Sequence, residues 1–281
     1  MPRLKLWLET IRISHSVFAL PFAFMGAFLA AGGLPGWRVA AWTVIAAVAA
    51  RTAAMTFNRL VDRRIDAANP RTAARALATG AIPAWEAWIL VVLSSAVFVA
   101  ACAALNPLTL RFAPIVLVLT LGYSLTKRFT ALAHLVLGAA LALAPLGGWI
   151  ATAGRLDGYP VALSLAVVFW VAGFDVVYAC LDEAFDRGAG LHSIPALLGR
   201  PRALRLARAF HIAAFAGFAW TGWRLGLGLP YAAGLALAGL ALAYEHAIVR
   251  PDDLSRIQVS FLTMNGLVSA VLFAATWLSL V

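Results

Sequence analysis

Long apolar stretches alternate along the chain with short segments that contain charged residues, glycine and proline. A helix needs about 20 mostly apolar residues to cross a bilayer, and lipid cannot satisfy the backbone polar groups of an open sheet. The pattern therefore predicts an all-α integral membrane bundle of about nine transmembrane helices. The predicted spans are residues 13–31, 39–57, 85–105, 112–125, 132–153, 161–179, 204–220, 225–244 and 259–280.

Composition supports a membrane protein over a soluble one. Hydrophobic residues make up 63% of the chain and charged residues 12%, whereas about a quarter of the residues in soluble domains are charged. The net charge of +10 could indicate nucleic acid, but the basic residues lie in short loops between apolar spans. We therefore expect a lipid bilayer as the partner and no nucleic acid. The two cysteines have no metal-site spacing and suggest no disulfide.

The distribution of basic residues predicts the orientation. Of the 22 lysines and arginines, 18 fall on one side of the predicted spans and only four on the other. The positive-inside rule then places the N-terminus in the cytoplasm. The acids share that side, apart from Asp157, although the rule makes no demand on them. We therefore predict a multi-pass protein of the cell membrane whose active-site face is cytoplasmic.

A first acidic cluster closes the second predicted helix. Asn58, Asp62 and Asp66 recur every four residues, a spacing that places three side chains on one stripe of a helix. Mg²⁺ binds one or two carboxylates and takes further oxygens from substrate phosphates. The stripe therefore predicts a magnesium site, with Arg63 close enough to reach phosphate. A solvated helix end with Asp–Arg pairs is the alternative that this cluster alone leaves open.

A second cluster closes the sixth predicted helix and repeats the first at a fixed offset. Asp182 and Asp186 stand four residues apart, each 120 residues after its counterpart in the first cluster. This offset predicts one domain over residues 1–281 with an internal repeat, residues 1–128 and 130–250, plus a ninth helix. Two opposed acid pairs would form a two-metal site for a diphosphate.

Other polar residues lie near the same predicted face. Asp175 lies about two turns deeper in its span, where a carboxylate is costly and predicts a functional site; a structural partner for Tyr123, Tyr178 or an arginine is the alternative. Tyr123 and Lys127 share a helix face, and the lysine could bind phosphate. Arg128 suits bidentate binding of a phosphate or a carboxylate. Further candidates in the flanking loops are Arg71, Arg75 and His192.

Together these motifs resemble the UbiA superfamily of intramembrane aromatic prenyltransferases. The family pattern N-x-x-x-D-x-x-x-D matches at Asn58, Asp62 and Asp66, and a second D-x-x-x-D matches at Asp182 and Asp186. Further matches are Tyr178-Ala179, the Y-x-x-x-K element at Tyr123 and Lys127, and the turn Asn69-Pro70-Arg71-Thr72. Many members have a lysine where this chain has His192.

The resemblance implies a bundle of nine helices with a central cavity open to lipid. It implies Mg²⁺-dependent transfer of a prenyl chain from a polyprenyl diphosphate to an aromatic acceptor in quinone biosynthesis, either 4-hydroxybenzoate or 1,4-dihydroxy-6-naphthoate. Expected metal ligands are Asn58, Asp62, Asp66, Asp182 and Asp186. Expected diphosphate-binding residues are Asn58, Arg63, Arg71, Arg75, Tyr123 and Lys127, and expected acceptor-binding residues are Arg128, Asp175, Tyr178 and His192. Catalytic roles are expected for the four motif aspartates, Lys127 and Asp175.

Other functions stay open at this point. Haem, chlorophyllide or a glycerol-lipid could be the acceptor. A secondary transporter would also have repeats and intramembrane acids, but near the middle of the membrane. A CDP-alcohol phosphotransferase would need a denser acidic cluster in one segment. The sequence specifies neither the donor's chain length nor an oligomeric state.

Overall fold

The computed structural model describes residues 3–11 and 16–281, and all regular elements in that part of the chain are helices. The helices are α1 Arg3–Ile11, α2 Ser16–Ala31, α3 Trp37–Val61, α4 Arg63–Ala68, α5 Ala84–Leu105, α6 Pro107–Thr126, α7 Ala133–Ala153, α8 Gly158–Ala179, α9 Glu183–Gly188, α10 Ile194–Leu198, α11 Arg200–Arg224, α12 Gly228–Ile248 and α13 Asn265–Leu278. A 3₁₀ turn, Cys180–Asp182, joins α8 to α9, and a π-helical turn, Val259–Met264, precedes α13.

The predicted all-helical membrane bundle is confirmed. Seven helices in the described residues are long and apolar enough to cross a membrane, and Phe18–Ala31 is a shorter apolar helix. Helix α11 is long but contains five arginines, so it does not meet that standard of apolarity. The total of nine spans therefore stays a prediction. Helix α6 begins five residues before its predicted span, because the Asn106 side chain accepts a hydrogen bond from the Thr109 amide and Pro107 occupies the first turn.

Helix α8 lies at the centre of the bundle. Its residues Trp170, Val171 and Val176 are fully buried, and helices α7 and α11 pack along it. The Phe22 and Phe218 rings of α2 and α11 extend this aromatic core. Because α8 is buried in the bundle, packing fixes the position of its C-terminal end. The second acidic cluster lies at that end.

Helices α2 and α7 approach closely through glycines. A Cβ on Gly148 would lie 1.9 Å from the Ala23 carbonyl oxygen, and one on Gly26 would lie 2.0 Å from the Pro145 carbonyl oxygen. Small residues allow such close backbone packing between membrane helices. The neighbouring Gly147, in contrast, has no atom within 4 Å of its added Cβ.

This contrast gives a matched pair of variants. We expect Gly148→Ala to destabilise the bundle by about 1–3 kcal/mol or more, since a rigid backbone oxygen would have to move. Gly147→Ala should leave stability unchanged or raise it slightly, because alanine favours helix over glycine by about 1 kcal/mol. Thermal unfolding of the purified variants in detergent measures both. Equal melting temperatures for the two variants would contradict the close packing.

A buried polar contact holds the start of α13 against α12. The Asn265 side-chain amide donates hydrogen bonds to Glu245 Oε2 and to the Ser260 carbonyl, both at 3.0 Å. Asn265 and Glu245 are fully buried. The Ser260 carbonyl belongs to the π-helical turn, whose Phe261 ring packs against the Tyr178 ring with centroids 4.4 Å apart and planes tilted by 38°. This contact therefore positions one aromatic wall of the cavity described next.

Candidate active site

One large cavity of about 450 Å³ runs into the bundle. At one end it is lined by charged side chains from the ends of α3, α6 and α8 and from the loop after α4. Elsewhere its walls are mainly apolar, with Phe98, Cys102, Phe112, Val116, Phe174 and Phe261 among them. A cavity with one ionic end and an apolar remainder suits a ligand with a charged head and a hydrocarbon tail.

The first acidic cluster lies where helix α3 gives way to α4. Asp62, with φ −90° and ψ 3°, separates the two helices, and the stripe predicted for Asn58, Asp62 and Asp66 runs across this junction. The Asp62 and Asp66 amides still donate to the carbonyls four residues earlier. All three side chains line the cavity, and the Asn58 amide donates to Asp62 Oδ2 at 3.2 Å. The second cluster has a similar junction, since Asp182, with φ −103° and ψ 4°, ends the 3₁₀ turn and precedes α9.

The loop after α4 joins the two acidic clusters. The Asn69 amide donates to Asp182 Oδ1 at 2.9 Å, and Arg71 Nε donates to the same oxygen at 2.8 Å. Arg71 Nη2 also pairs with Asp182 Oδ2, and Nη1 donates to the Tyr178 hydroxyl at 3.2 Å. Burial alone would lower the pKa of Arg71, but these contacts with Asp182 raise it. The loop that follows one cluster thus binds the other directly.

Asp186 is the most buried carboxylate of the site. Its side chain is 1% exposed, and Lys127 Nζ lies 2.7 Å from Oδ1. The Ser193 hydroxyl donates to Oδ2 at 2.8 Å. Because Lys127 follows α6, this ion pair brings the end of α6 against α9.

The remaining two motif aspartates also have cationic partners. Arg75 Nη1 donates to Asp66 Oδ1 at 2.6 Å, and Arg128 Nη2 donates to Asp62 Oδ1 at 2.9 Å. Burial raises the pKa of Asp62, and the hydrogen bond from Arg128 offsets this only in part. All four motif carboxylates are therefore neutralised, each by a different cation from another segment.

Asp175 has a partner that the sequence did not reveal. His134, at the start of α7, places Nδ1 2.6 Å from Asp175 Oδ2. Both residues line the cavity, where Tyr123 lies within electrostatic reach of Asp175. A single buried histidine in an apolar span carries little signal in the sequence, because its partner is 41 residues away.

Two predicted site residues lie outside the cavity lining. The Arg63 side chain instead donates to the Leu60 carbonyl at 3.3 Å, and Arg59 and Arg51 line the cavity in its place. His192 is exposed, and it contributes through its backbone amide, which donates to the Lys127 carbonyl at 2.8 Å. The structure places neither side chain where a ligand of the cavity would meet it.

The oxygen ligands that the site offers suit a magnesium ion. Four carboxylates and the Asn58 and Asn69 amides line one end of one cavity, and hard oxygen ligands are what Mg²⁺ prefers. In the described part of the chain, no three His, Cys, Asp or Glu side chains already converge as a metal cluster. The four motif carboxylates are instead paired with lysine and arginine side chains. These ion pairs would have to break before the carboxylates could bind a metal.

Comparison with known proteins shows which family and which relatives this chain resembles. The family described as the UbiA prenyltransferase family matches residues 19–268. A protein named 4-hydroxybenzoate octaprenyltransferase from Methylobacillus flagellatus is 32% identical, over 88% of this chain and 83% of that protein. Its namesake from Cupriavidus necator is 31% identical, over 98% of this chain and 97% of that protein.

Solved structures agree with this result. A UbiA homolog from Aeropyrum pernix K1 superposes with a TM-score of 0.87 and is 37% identical, covering 96% of this chain and 99% of its own. A UbiA homolog from Archaeoglobus fulgidus, bound to GPP and Mg²⁺, superposes with a TM-score of 0.78 at 22% identity, covering 98% of this chain and 99% of its own. At that identity the second likeness supports the fold alone.

Proposed function

The chain belongs to the UbiA prenyltransferase family, and from this membership we propose that it transfers a polyprenyl chain from its diphosphate to 4-hydroxybenzoate. The protein is a multi-pass membrane prenyltransferase. The relatives named 4-hydroxybenzoate octaprenyltransferase support this acceptor and favour an octaprenyl donor. We place the reaction in the cell membrane, with the ionic end of the cavity at the cytoplasmic face, as the distribution of basic residues predicts.

One feature carries this proposal: a single cavity joins an end rich in paired carboxylates and cations to apolar walls. A diphosphate needs positive charge, and a polyprenyl tail needs an apolar channel. A transporter site near the middle of the membrane would lack this polarity between the two ends of the cavity. The proposal therefore accounts for both the charged residues and the extent of the apolar lining.

We assign Mg²⁺ to Asp62, Asp66, Asp182 and Asp186, with Asn58 as a further ligand. The metal would neutralise the diphosphate and make it a better leaving group. Three of the cations that now hold these carboxylates would then turn to the phosphate oxygens. Lys127, Arg71 and Arg75 supply this charge, and Tyr123 lines the same cavity.

The chain's own residues guide the rest of the reaction. The bond between the allylic carbon and the diphosphate oxygen breaks, and its electron pair leaves with the diphosphate. Lys127 and the arginines stabilise the charge that grows there. The ring of the acceptor then forms the new carbon–carbon bond and loses a proton. We assign Arg128 to the acceptor carboxylate, and Tyr178 and Asp175 to its ring and hydroxyl.

The test is a reconstitution with defined substrates. Protein in lipid nanodiscs is incubated with octaprenyl diphosphate, Mg²⁺ and labelled 4-hydroxybenzoate, and the product is identified by mass spectrometry. We expect octaprenyl-4-hydroxybenzoate, and no product with EDTA. Parallel reactions contain 1,4-dihydroxy-6-naphthoate, haem, chlorophyllide or a glycerol-lipid acceptor. Turnover of one of these with none of 4-hydroxybenzoate would overturn the assigned acceptor while leaving the prenyltransferase intact.

A further inference from the structure

His134 belongs to neither acidic motif, yet it lies against Asp175, the one cavity carboxylate without a lysine or arginine partner in the described part of the chain. We propose that His134 is a positioning residue: it holds Asp175 so that a carboxylate oxygen receives the proton of the aromatic acceptor. This inference rests on the proposed function, because it names the group that handles the proton of that reaction.

The hydrogen bonds of His134 determine its tautomer. The backbone amide of Ile194 lies 3.2 Å from His134 Nε2, and an amide can only donate. Nε2 is therefore the acceptor and has no hydrogen. In the neutral ring the hydrogen is then on Nδ1, which lies 2.6 Å from Asp175 Oδ2 and donates to it.

This arrangement leaves Asp175 ready to accept a second hydrogen bond. Its side chain is 26% exposed to the cavity, whereas that of His134 is only 4% exposed. Oδ2 is engaged by the imidazole, and the described residues provide no hydrogen-bond partner for Oδ1. The histidine thus holds one carboxylate oxygen and leaves the other facing the cavity without a partner among the described residues. It can therefore meet a ligand without first losing another protein contact.

The position of Asp175 in the cavity suits the acceptor rather than the diphosphate. It lies about two helical turns before Asp182, away from the ion pairs of the motif aspartates. Its neighbours are the aromatic side chains Phe174 and Tyr178, with Tyr123 within electrostatic reach. Ring walls next to a carboxylate match a phenol, whose hydroxyl can donate to Oδ1.

The chemical step balances with the groups present. A hydrogen bond from the phenol to Asp175 raises the electron density of the ring. The ring attacks the allylic carbon as the carbon–oxygen bond to diphosphate breaks, and the electron pair leaves on the diphosphate. The proton released from the phenol or from the substituted ring carbon passes to Asp175. Water or diphosphate then takes it from there as the product leaves.

His134 has a second contact, which gives its side chain a purely structural role besides the positioning of Asp175. Its Nε2 anchors the Ile194 amide at the start of α10 and so supports the loop that carries Ser193. Helices α7 and α8 do not need the histidine for their own packing, because Gly138 already brings α7 against the Val168 backbone. The two roles of the imidazole therefore use different nitrogens and can be separated.

Two isosteric substitutions separate them. In His134→Asn the side-chain amide occupies the region of Nδ1 and can still donate to Asp175. In His134→Gln the amide oxygen reaches the region of Nε2 and can still accept from Ile194. We expect His134→Gln to lower kcat by about 10- to 100-fold and His134→Asn to lower it by less than about threefold. The KM for octaprenyl diphosphate should stay unchanged in both variants.

Further measurements exclude a structural role. Asp175→Asn should lower kcat by about 100-fold or more, and adding His134→Gln to it should cause little further loss, since the two residues act as one unit. The stabilisation of the protein by 4-hydroxybenzoate, measured as a shift in melting temperature, should be smaller in His134→Gln than in the wild type. Equal melting temperatures of the unliganded variants would confirm that neither change unfolds the loop.

Different results would overturn the positioning role and the proposed function. An active wild type in which His134→Asn is as impaired as His134→Gln, or in which only His134→Gln retains activity, overturns the positioning role. Full activity of Asp175→Asn would do the same. A wild type without activity toward 4-hydroxybenzoate would instead refute the proposed function.

Discussion

Replacing Asp182 by asparagine should lower kcat about a thousandfold while the protein stays folded. The carboxylate would be lost as a magnesium ligand, and Arg71 and Asn69 would lose the charge that holds their loop against α8. An ionic contribution of several kcal/mol to the transition state corresponds to this change in rate. The measurement is steady-state formation of the prenylated product, repeated over a range of Mg²⁺ concentrations, and the Mg²⁺ requirement should also rise.

The control is an aspartate-to-asparagine substitution at the opposite end of α8. Asp157 precedes α8, and its one ion pair within the described residues is with Arg155, whose side chain is 74% exposed. Asp157→Asn therefore removes one negative charge without touching the cavity, and its kcat should remain within about twofold of the wild type. If Asp182→Asn retained more than about a tenth of the activity, the two-cluster metal site would be wrong.

Replacing Lys127 by methionine should lower kcat/KM for the prenyl diphosphate by about a hundredfold or more. The lysine is the only amine among the cavity cations of the described residues, and it would stabilise the leaving diphosphate. The change also leaves Asp186 buried without its cation, so thermal stability should fall by about 1–3 kcal/mol. Kinetics and thermal unfolding on the same preparations separate the two effects.

A double variant and a matched control complete this test. Lys127→Met combined with Asp186→Asn should recover much of the stability but none of the activity, because the buried charge is gone while the diphosphate contact is still missing. Arg63→Gln removes a cation of the same face that does not line the cavity, and should leave kcat/KM within about twofold. An Arg63→Gln variant as slow as Lys127→Met would mean that overall positive charge, not the position of each cation, determines the rate.

The ionic end of the cavity contains as many cationic partners as motif carboxylates, and electrostatics gives the reason. Four buried or half-buried carboxylates without cations would be strongly destabilising before substrate binds. The ion pairs with Arg71, Arg75, Lys127 and Arg128 remove that penalty. If metal and diphosphate bound together as proposed, the carboxylates would pair with the metal and the cations with the phosphates, so the net charge of the site would change little.

The hydrophobic pattern predicted most helices within a few residues of their ends. This succeeded because the length of a membrane span and its apolar surface are properties of a local segment. Helix α11 is the instructive exception: its first half carries four arginines, so the predicted span began at residue 204 although the helix begins at Arg200. The internal repeat suggested by the 120-residue offset stays a prediction, as do the individual roles of the site residues.

The sequence by itself determined the membrane class, the approximate helices and the two acidic clusters, because apolar length and residue spacing are written in neighbouring positions. Only the tertiary structure decided which cation holds each aspartate, that Arg63 and His192 stay outside the cavity, and that His134 meets Asp175. These contacts depend on the helix bend at Asp62, on the packing of α7 against α8 and on loops that cross between helix ends. Side-chain direction at a helix end follows from such three-dimensional packing, and residues far apart in the chain carry no local signal of it.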